Sequence, residues 1–396
     1  MKKAVSLLLV IVMLVSVSLP CFADDGVDFS DEVREYYASL GLEGTAINVY
    51  NWGEYIDDEE VDVIGEFEKL TGCSINYTTF ESNENMYSKI AGGGVSYDIL
   101  VPSDYMVEKL VREDMLLPID FNNVPNVEKY FDAEQYGYLL DSEIEGKKIS
   151  DYAVIYNIGT TILIYNTKYV TEKPTSWKVL WDEQYEGKVL MFNNPRDSFA
   201  IAQAILGIDF NTVNPDDWDE CAELLKKQRE TVHPTYVMDE VFNKMESGDY
   251  ALATYYAGDY EIMKANNEDL DYCLPEEGVN TFYDAFIIPK TAQNKKGAEA
   301  FINFMMEPEI ALANAEYIYY ATPNKSVLEN DEYSLIDSAA VYPDESEIAN
   351  AQSFHDLPNE TLQYMNSQWM KVKGSNNNAG LYTAFIVCIV LIAAVI

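Results

Sequence analysis

Ile47-Asn48-Val49-Tyr50-Asn51-Trp52-Gly53-Glu54-Tyr55 is the stretch from which the fold can be read. Its first residues read as a buried strand. Gly53 stops that strand, and an aromatic, an acid and a second aromatic are delivered into a loop. Open α/β sheets bind ligands beyond the carboxyl ends of their strands. Trp52, Glu54 and Tyr55 therefore stand where a ligand would sit. Two ring faces beside a carboxylate suit a cation, which the ring quadrupoles attract and the acid neutralises. The plainer alternative is a Trp and a Tyr closing a strand end against the core.

Outward from this stretch the chain continues as strand, helix, strand. A helix over 59–71 places Val63, Phe67 and Leu70 at helical spacing, and Gly72 ends it. A strand over 74–78 leads to Glu81-Ser82-Asn83-Glu84, a helix start with Ser82 as its N-cap and Met86 and Ile90 on one face. A strand over 97–101 stops at Pro102-Ser103-Asp104-Tyr105, and another helix follows. This alternation implies a parallel sheet with right-handed crossovers. Gly92-Gly93-Gly94 is not a phosphate loop, because no Gly-Lys-Ser/Thr follows it.

A second unit spans residues 151–281. Residues 152–166 are rich in β-branched and aromatic side chains. A helix opens at Asn214-Pro215 with Asp216, Asp217 and Asp219, and closes with Lys226, Lys227 and Arg229, matching the helix dipole at both ends. Strand-like 250–256 ends in Ala257-Gly258-Asp259. Strand-like 281–289 carries Asp284 between Tyr283 and Ala285, next to Phe286-Ile287-Ile288. A charge in such a run needs a partner, because desolvating it alone is costly. Helix 296–306 and a turn at Thr322-Pro323-Asn324 return to the first unit.

The chain has 396 residues, 48% of them hydrophobic, enough for one large core or two ordinary ones. Lys plus Arg number 26 and Asp plus Glu 67, a net charge of −41. Such a surface repels nucleic acid and anionic lipid and favours a cationic ligand. Thirty tyrosines supply rings in quantity.

Residues 1–23 read as a secretory signal: Lys2 and Lys3, an apolar run over 4–19, then Cys21-Phe22-Ala23, with cleavage after Ala23. Ser18-Leu19-Pro20 makes a poor lipobox ahead of Cys21, so lipidation is the lesser expectation. Residues 24–45 read as an acidic stalk with a short helix over 31–40. Residues 373–380 read as a polar linker. Residues 381–396 are uncharged and apolar. Their span of about 24 Å, which Ala379 and Gly380 lengthen, approaches the roughly 30 Å of a hydrocarbon core. A C-terminal membrane anchor is expected there, with a buried core helix as the alternative. Cys73, Cys221, Cys273 and Cys388 lack metal-ligand spacing, and a Cys221–Cys273 pair is left open.

With these residues in hand, the sequence resembles the spermidine/putrescine-binding proteins, extracytoplasmic substrate-binding components of polyamine ABC transporters. The resemblance covers about residues 46–370. It rests on Tyr50-Asn51-Trp52-Gly53-Glu54-Tyr55, on Glu81-Ser82-Asn83-Glu84-Asn85-Met86-Tyr87, and on Tyr97-Asp98 with Val101-Pro102-Ser103. Ser176-Trp177 with Leu180-Trp181, Tyr256-Ala257-Gly258-Asp259, residues 298–307 and Thr322-Pro323-Asn324 complete it. It implies an α/β fold of the two-lobed periplasmic-binding-protein type (type II), each lobe a sheet flanked by helices, with a ligand cleft between them. One lobe would be 46–151 with 283–328, the other 152–282 with 329–372. Carried over residue by residue, aromatic walls fall at Trp52, Tyr55, Tyr105, Tyr256, Phe282 and Tyr320. Acids fall at Glu54, Asp197, Asp259 and Asp284, and a polar contact at Ser103. A polyamine is a methylene chain with terminal ammoniums, which rings sandwich and spaced carboxylates read. Departures from the family are Asn194 in place of an acid, Tyr256 and Phe282 where Trp is common, and Gly53 in place of a hydroxyl residue. The missing acid at Asn194 leans the expectation toward putrescine over spermidine, or toward little discrimination. The resemblance also implies permease subunits as partners, a monomer and no cofactor.

Three rivals stand beside this reading. Tyr255-Tyr256 and Tyr319-Tyr320 are adjacent pairs of the kind iron transporters of this fold use for ferric ion. Neither His233 nor His355 is near them in sequence. An enzyme would lack a nucleophile elbow, a His-Glu zinc motif and a P-loop. A surface adhesion module on a stalk and anchor is the third.

Overall fold

The computed structural model describes residues 26–374. The signal-like residues 1–23, Cys21, Cys388 and the apolar run 381–396 lie outside the described residues, as does most of the linker 373–380. Among the described residues no helix is long and apolar enough to cross a membrane.

The main strands are β1 (Ala46–Trp52), β2 (Ser74–Phe80), β3 (Ile99–Leu100), β4 (Ala153–Asn166), β5 (Val189–Phe192), β6 (Thr235–Val237), β7 (Leu252–Tyr256), β8 (Leu270–Cys273) and β9 (Thr281–Pro289). They form one hydrogen-bonded path in the order β2-β1-β3-β9-β4-β7-β5-β6, with β8 on β4. The α/β class is as expected, and β1 pairs parallel with both β2 and β3. The sheet is nonetheless mixed: β9 runs antiparallel to β3 and to β4, and β7 antiparallel to β4.

The fourteen residues of β4 serve both halves of the sheet. Its residues 153–160 pair with β9 and its residues 161–165 with β7. Val154 and Tyr156, at its start, pack into one core with Ile47, Val49, Phe67, Phe286 and Phe301. Ile162 and Leu163, further on, pack with Phe192, Phe199 and Trp218 in the other. The sheets of the two halves are therefore joined through β4 and β9.

Helices flank this sheet: α1 (Asp31–Ser39), α2 (Val63–Thr71), α3 (Asn83–Ala91), α4 (Asp104–Arg112), α5 (Pro195–Leu206), α6 (Pro215–Val232), α7 (Glu240–Glu246), α8 (Ala257–Asn266), α9 (Lys295–Met305), α10 (Pro308–Ile318) and α11 (Asn359–Lys373). Two expectations are corrected. The stretch expected as a stalk carries α1 packed onto the first core: Tyr37 is fully buried and its hydroxyl donates to Glu307 Oε1 at 2.9 Å. Helix α2 starts at Val63 rather than near residue 59, because Asp57 accepts from the backbone N–H groups of Glu59, Glu60 and Val61 and holds them in a turn. Cys221 and Cys273 are buried and free, so the open question of their pairing is answered in the negative.

Candidate functional site

Four helices begin around one cavity, and each contributes acid from its first turn. Glu84 comes from α3, Asp104 from α4, Asp197 from α5 and Asp259 from α8. A helix N-terminus carries partial positive charge and stabilises an acid placed there. Strands supply further residues: Trp52 ends β1, Gly53, Glu54 and Tyr55 follow it, and Phe282 and Asp284 lie on β9. All eleven residues expected in the site line this cavity: Trp52, Glu54, Tyr55, Ser103, Tyr105, Asp197, Tyr256, Asp259, Phe282, Asp284 and Tyr320.

Each buried acid of the expected set is held by a phenol. Tyr55 Oη donates to Asp284 Oδ2 at 2.8 Å, Tyr256 Oη to Asp197 Oδ2 at 2.9 Å, and Tyr320 Oη to Asp259 Oδ2 at 3.0 Å. Asp284 is positioned by an irregularity in β9, where the register against β4 shifts between Asp284 and Ala285. Such bulges re-aim a side chain. Asp284 Oδ1 is buried with no hydrogen-bond partner in the protein, on a residue only 3% exposed.

Rings close the walls. Tyr55 meets Tyr320 edge-on at 4.8 Å between centroids, and Tyr256 meets Phe282 at 5.4 Å. Two glycines make room for them. A Cβ at Gly258 would lie 2.5 Å from the Tyr320 ring, and one at Gly159 would lie 2.3 Å from the Phe282 ring.

Burial dominates the electrostatics. It pushes the Asp284 carboxyl up to about 7, although the nearby Ser103 side chain and the Tyr55 hydrogen bond pull it down. It pushes Asp197 up to about 6 against the bonds from Asn194 and Tyr256. Asp259 rises to about 8, through burial first and then through Asp239, Glu54 and Asp284, against the Tyr320 bond. The cavity is thus a set of crowded, desolvated carboxyls whose charged forms call for cations.

Several lining residues escaped the sequence reading: Glu84, Asp104, Arg196, Asp239 and Phe354, while Tyr255 was considered only as part of a ferric-ion pair. Glu84 was hidden inside a capping motif, yet it accepts from Tyr105 Oη at 3.0 Å. Arg196 is buried with its Cζ 4.4 Å from the Phe354 ring centre, and burial lowers its pKa. Asn194 caps α5 and donates to Asp197 Oδ2 at 2.6 Å, so it orients the neighbouring acid.

The tyrosine pairs proposed for ferric ion are poorly suited to it. Burial holds the Tyr255, Tyr256 and Tyr320 phenols well above their ordinary value, and nearby carboxylates add to this. His233 pairs with Glu186 and His355 with Glu108, and neither histidine lines the cavity.

The comparisons with known proteins agree with the geometry. The model of the family described as bacterial extracellular solute-binding protein matches residues 62–340. The chain is 31% identical over 332 residues to the spermidine/putrescine-binding periplasmic protein of Salmonella typhimurium, covering 83% of this chain and 91% of that protein. Among solved structures, a putative spermidine/putrescine ABC transporter protein from Listeria monocytogenes superposes with a TM-score of 0.76 at 34% identity, covering 83% of this chain and 99% of the other. A spermidine/putrescine ABC transporter substrate-binding protein from Streptococcus pneumoniae gives 0.68 at 31% identity, with the same coverage. The two-lobed binding-protein fold implied by the sequence is the fold of these structures. The family match spans well over half of the chain, and the chain belongs to the bacterial extracellular solute-binding proteins.

Proposed function

We propose that the protein captures a linear polyamine, putrescine or spermidine, in this cavity and hands it to the permease of an ABC transporter outside the cytoplasmic membrane. The ligand is bound and released without being turned over. Asp284 pairs with one ammonium and Asp197 and Asp259 face the remainder. Trp52, Tyr55, Tyr105, Tyr256, Phe282 and Tyr320 wall the methylenes, while Glu54 and Ser103 complete the contacts. The observation that carries this reading is Asp284 Oδ1, a buried carboxylate oxygen lining the cavity without a partner. Buried charges are retained where something pairs with them.

In this reading the lobes are 46–151 with 283–328 and 152–282 with 329–372. In support, the first supplies Tyr55 and Asp284 to the cavity and the second Asp197 and Asp259. A ligand contacting both lobes has differential affinity for the closed form and drives closure. The apolar run 381–396 holds the exported protein at the membrane. Names of relatives support the ligand class, since the Salmonella typhimurium protein is a spermidine/putrescine binder.

A thermal-shift panel tests the reading: putrescine, cadaverine, spermidine, spermine, agmatine and choline, with ferric salt as a control. Ligands that bind only the native state raise its melting temperature. The linear polyamines are expected to do so and ferric salt is not.

A further inference from the structure

Asp239 reaches the cavity from the far edge of the sheet. It follows β6, the last strand of the path, yet its Oδ2 lies 3.0 Å from the point a Cβ on Gly53 would occupy. Gly53 follows β1, near the opposite edge. The two halves of the protein therefore meet across the cavity mouth at this pair, and the bare backbone of Gly53 is what leaves room for the carboxylate. Asp239 occupies the N-cap position of α7 but makes no capping hydrogen bond. Its side chain is instead turned to Tyr255, whose hydroxyl donates to Oδ1 at 3.1 Å. The local helix has no claim on it.

Glu54 and Asp259 line the same cavity as Asp239; Glu54 and Asp239 are exposed and Asp259 is buried. The strongest charged influences on Asp259 are Asp239, Glu54 and Asp284, all acids. Those on Glu54 are Asp239, Asp58 and Glu59. Three carboxyls from three elements converge without a cation among those influences. The same cavity is lined by Asp284, whose Oδ1 is buried and unpartnered. Like charges brought together this way repel, and a bridging cation turns the repulsion into attraction.

We propose that Asp239 is a further ligand-binding residue, which closes the cavity mouth opposite Glu54 and binds with it one cationic end of the ligand. The inference rests on the polyamine reading of the cavity and adds to it a second terminal subsite, distinct from that of Asp284. It also gives closure a charge-based trigger. Glu54 and Asp239 approach each other across the mouth, so the empty form resists closing and an ammonium between them favours it.

The test is calorimetry of putrescine on the parent, on Asp239→Asn and on Gly53→Ala, with melting temperatures measured without ligand. Asp239→Asn keeps the shape and removes the charge. It is expected to weaken binding by roughly tenfold and to leave the ligand-free melting temperature unchanged or raised. Gly53→Ala, which crowds Oδ2, is expected to weaken binding in the same direction while the protein stays folded. If the parent binds putrescine and Asp239→Asn matches it within about twofold, this inference fails and the polyamine reading stands. If Asp239→Asn loses ligand-free stability along with affinity, Asp239 is a structural residue and the inference also fails. If the parent binds no linear polyamine, both fail.

Discussion

The Tyr55 hydroxyl donates to Asp284 Oδ2 at 2.8 Å, while Asp284 Oδ1 is buried without a partner. One oxygen is fixed and oriented, and the other has no hydrogen-bond partner in the protein. A core or capping aspartate would have both oxygens satisfied, because an unmet buried acceptor is costly.

Asp284→Asn should therefore separate binding from stability. It keeps the shape and leaves an ammonium facing a neutral amide, at a cost of about 2–5 kcal/mol, or roughly thirtyfold to several-thousandfold in affinity. Without ligand at pH 8 the variant should melt no lower than the parent, because the ionised carboxylate it replaces is desolvated. Calorimetry and ligand-free melting on the same samples check this. Binding within about threefold of the parent would remove Asp284 from the site.

The pH dependence has a definite sign. Burial raises Asp197 to about 6, Asp284 to about 7 and Asp259 to about 8 in the folded protein. An unfolded aspartate titrates near 3.9. The folded state thus binds protons more tightly, and these groups contribute stability that is full below about pH 4 and is lost as pH rises through 6 to 8. The ligand-free melting temperature should fall from pH 5 to pH 8. A dication needs the same carboxyls ionised, so polyamine affinity should rise over that window, with protons released on binding. Titration calorimetry in two buffers of different ionisation enthalpy counts those protons.

Much of this site could be read from sequence because its residues sit at predictable strand and helix ends. Trp52 to Tyr55 follow a strand pattern that the structure retains, and β9 has the bounds 281–289 that its apolar run suggested. What stayed hidden depends on contacts between distant segments. Nothing local marks Asp239 until Gly53, 186 positions away, is seen against it. Glu84 sits in a helix-start motif whose local reading is sufficient, and only Tyr105 shows that it faces inward. Residues 24–45 are acidic enough to read as a stalk. The sequence holds no local sign that Tyr37 finds Glu307, 270 residues on.

That last contact is testable. Tyr37 Oη donates to Glu307 and accepts from Asn303 Nδ2 at 2.8 Å, all three being buried. Tyr37→Phe leaves both partners short and should lower stability by about 1–3 kcal/mol in urea denaturation, with no change in ligand affinity. A stalk helix would tolerate the change without loss.

Gly258→Ala should do harm on both counts. Its Cβ would fall 2.5 Å from the Tyr320 ring and 2.9 Å from the Tyr319 carbonyl. Displacing that ring disturbs the Tyr320–Asp259 hydrogen bond. Overpacking of this kind costs about 1–3 kcal/mol, more than the gain from alanine in a helix. Urea denaturation should show the loss of stability and calorimetry a parallel loss of affinity.

The central claim is that this acidic, ring-lined cavity takes a linear polyamine. Isothermal titration of the purified protein with putrescine and with spermidine at pH 8 tests it most directly. The account predicts saturable binding of one molecule per chain, with a dissociation constant in the micromolar range or below, equivalent to about 8 kcal/mol or more. No heat of binding from either amine, together with no change in melting temperature at about a millimolar of each, would contradict it.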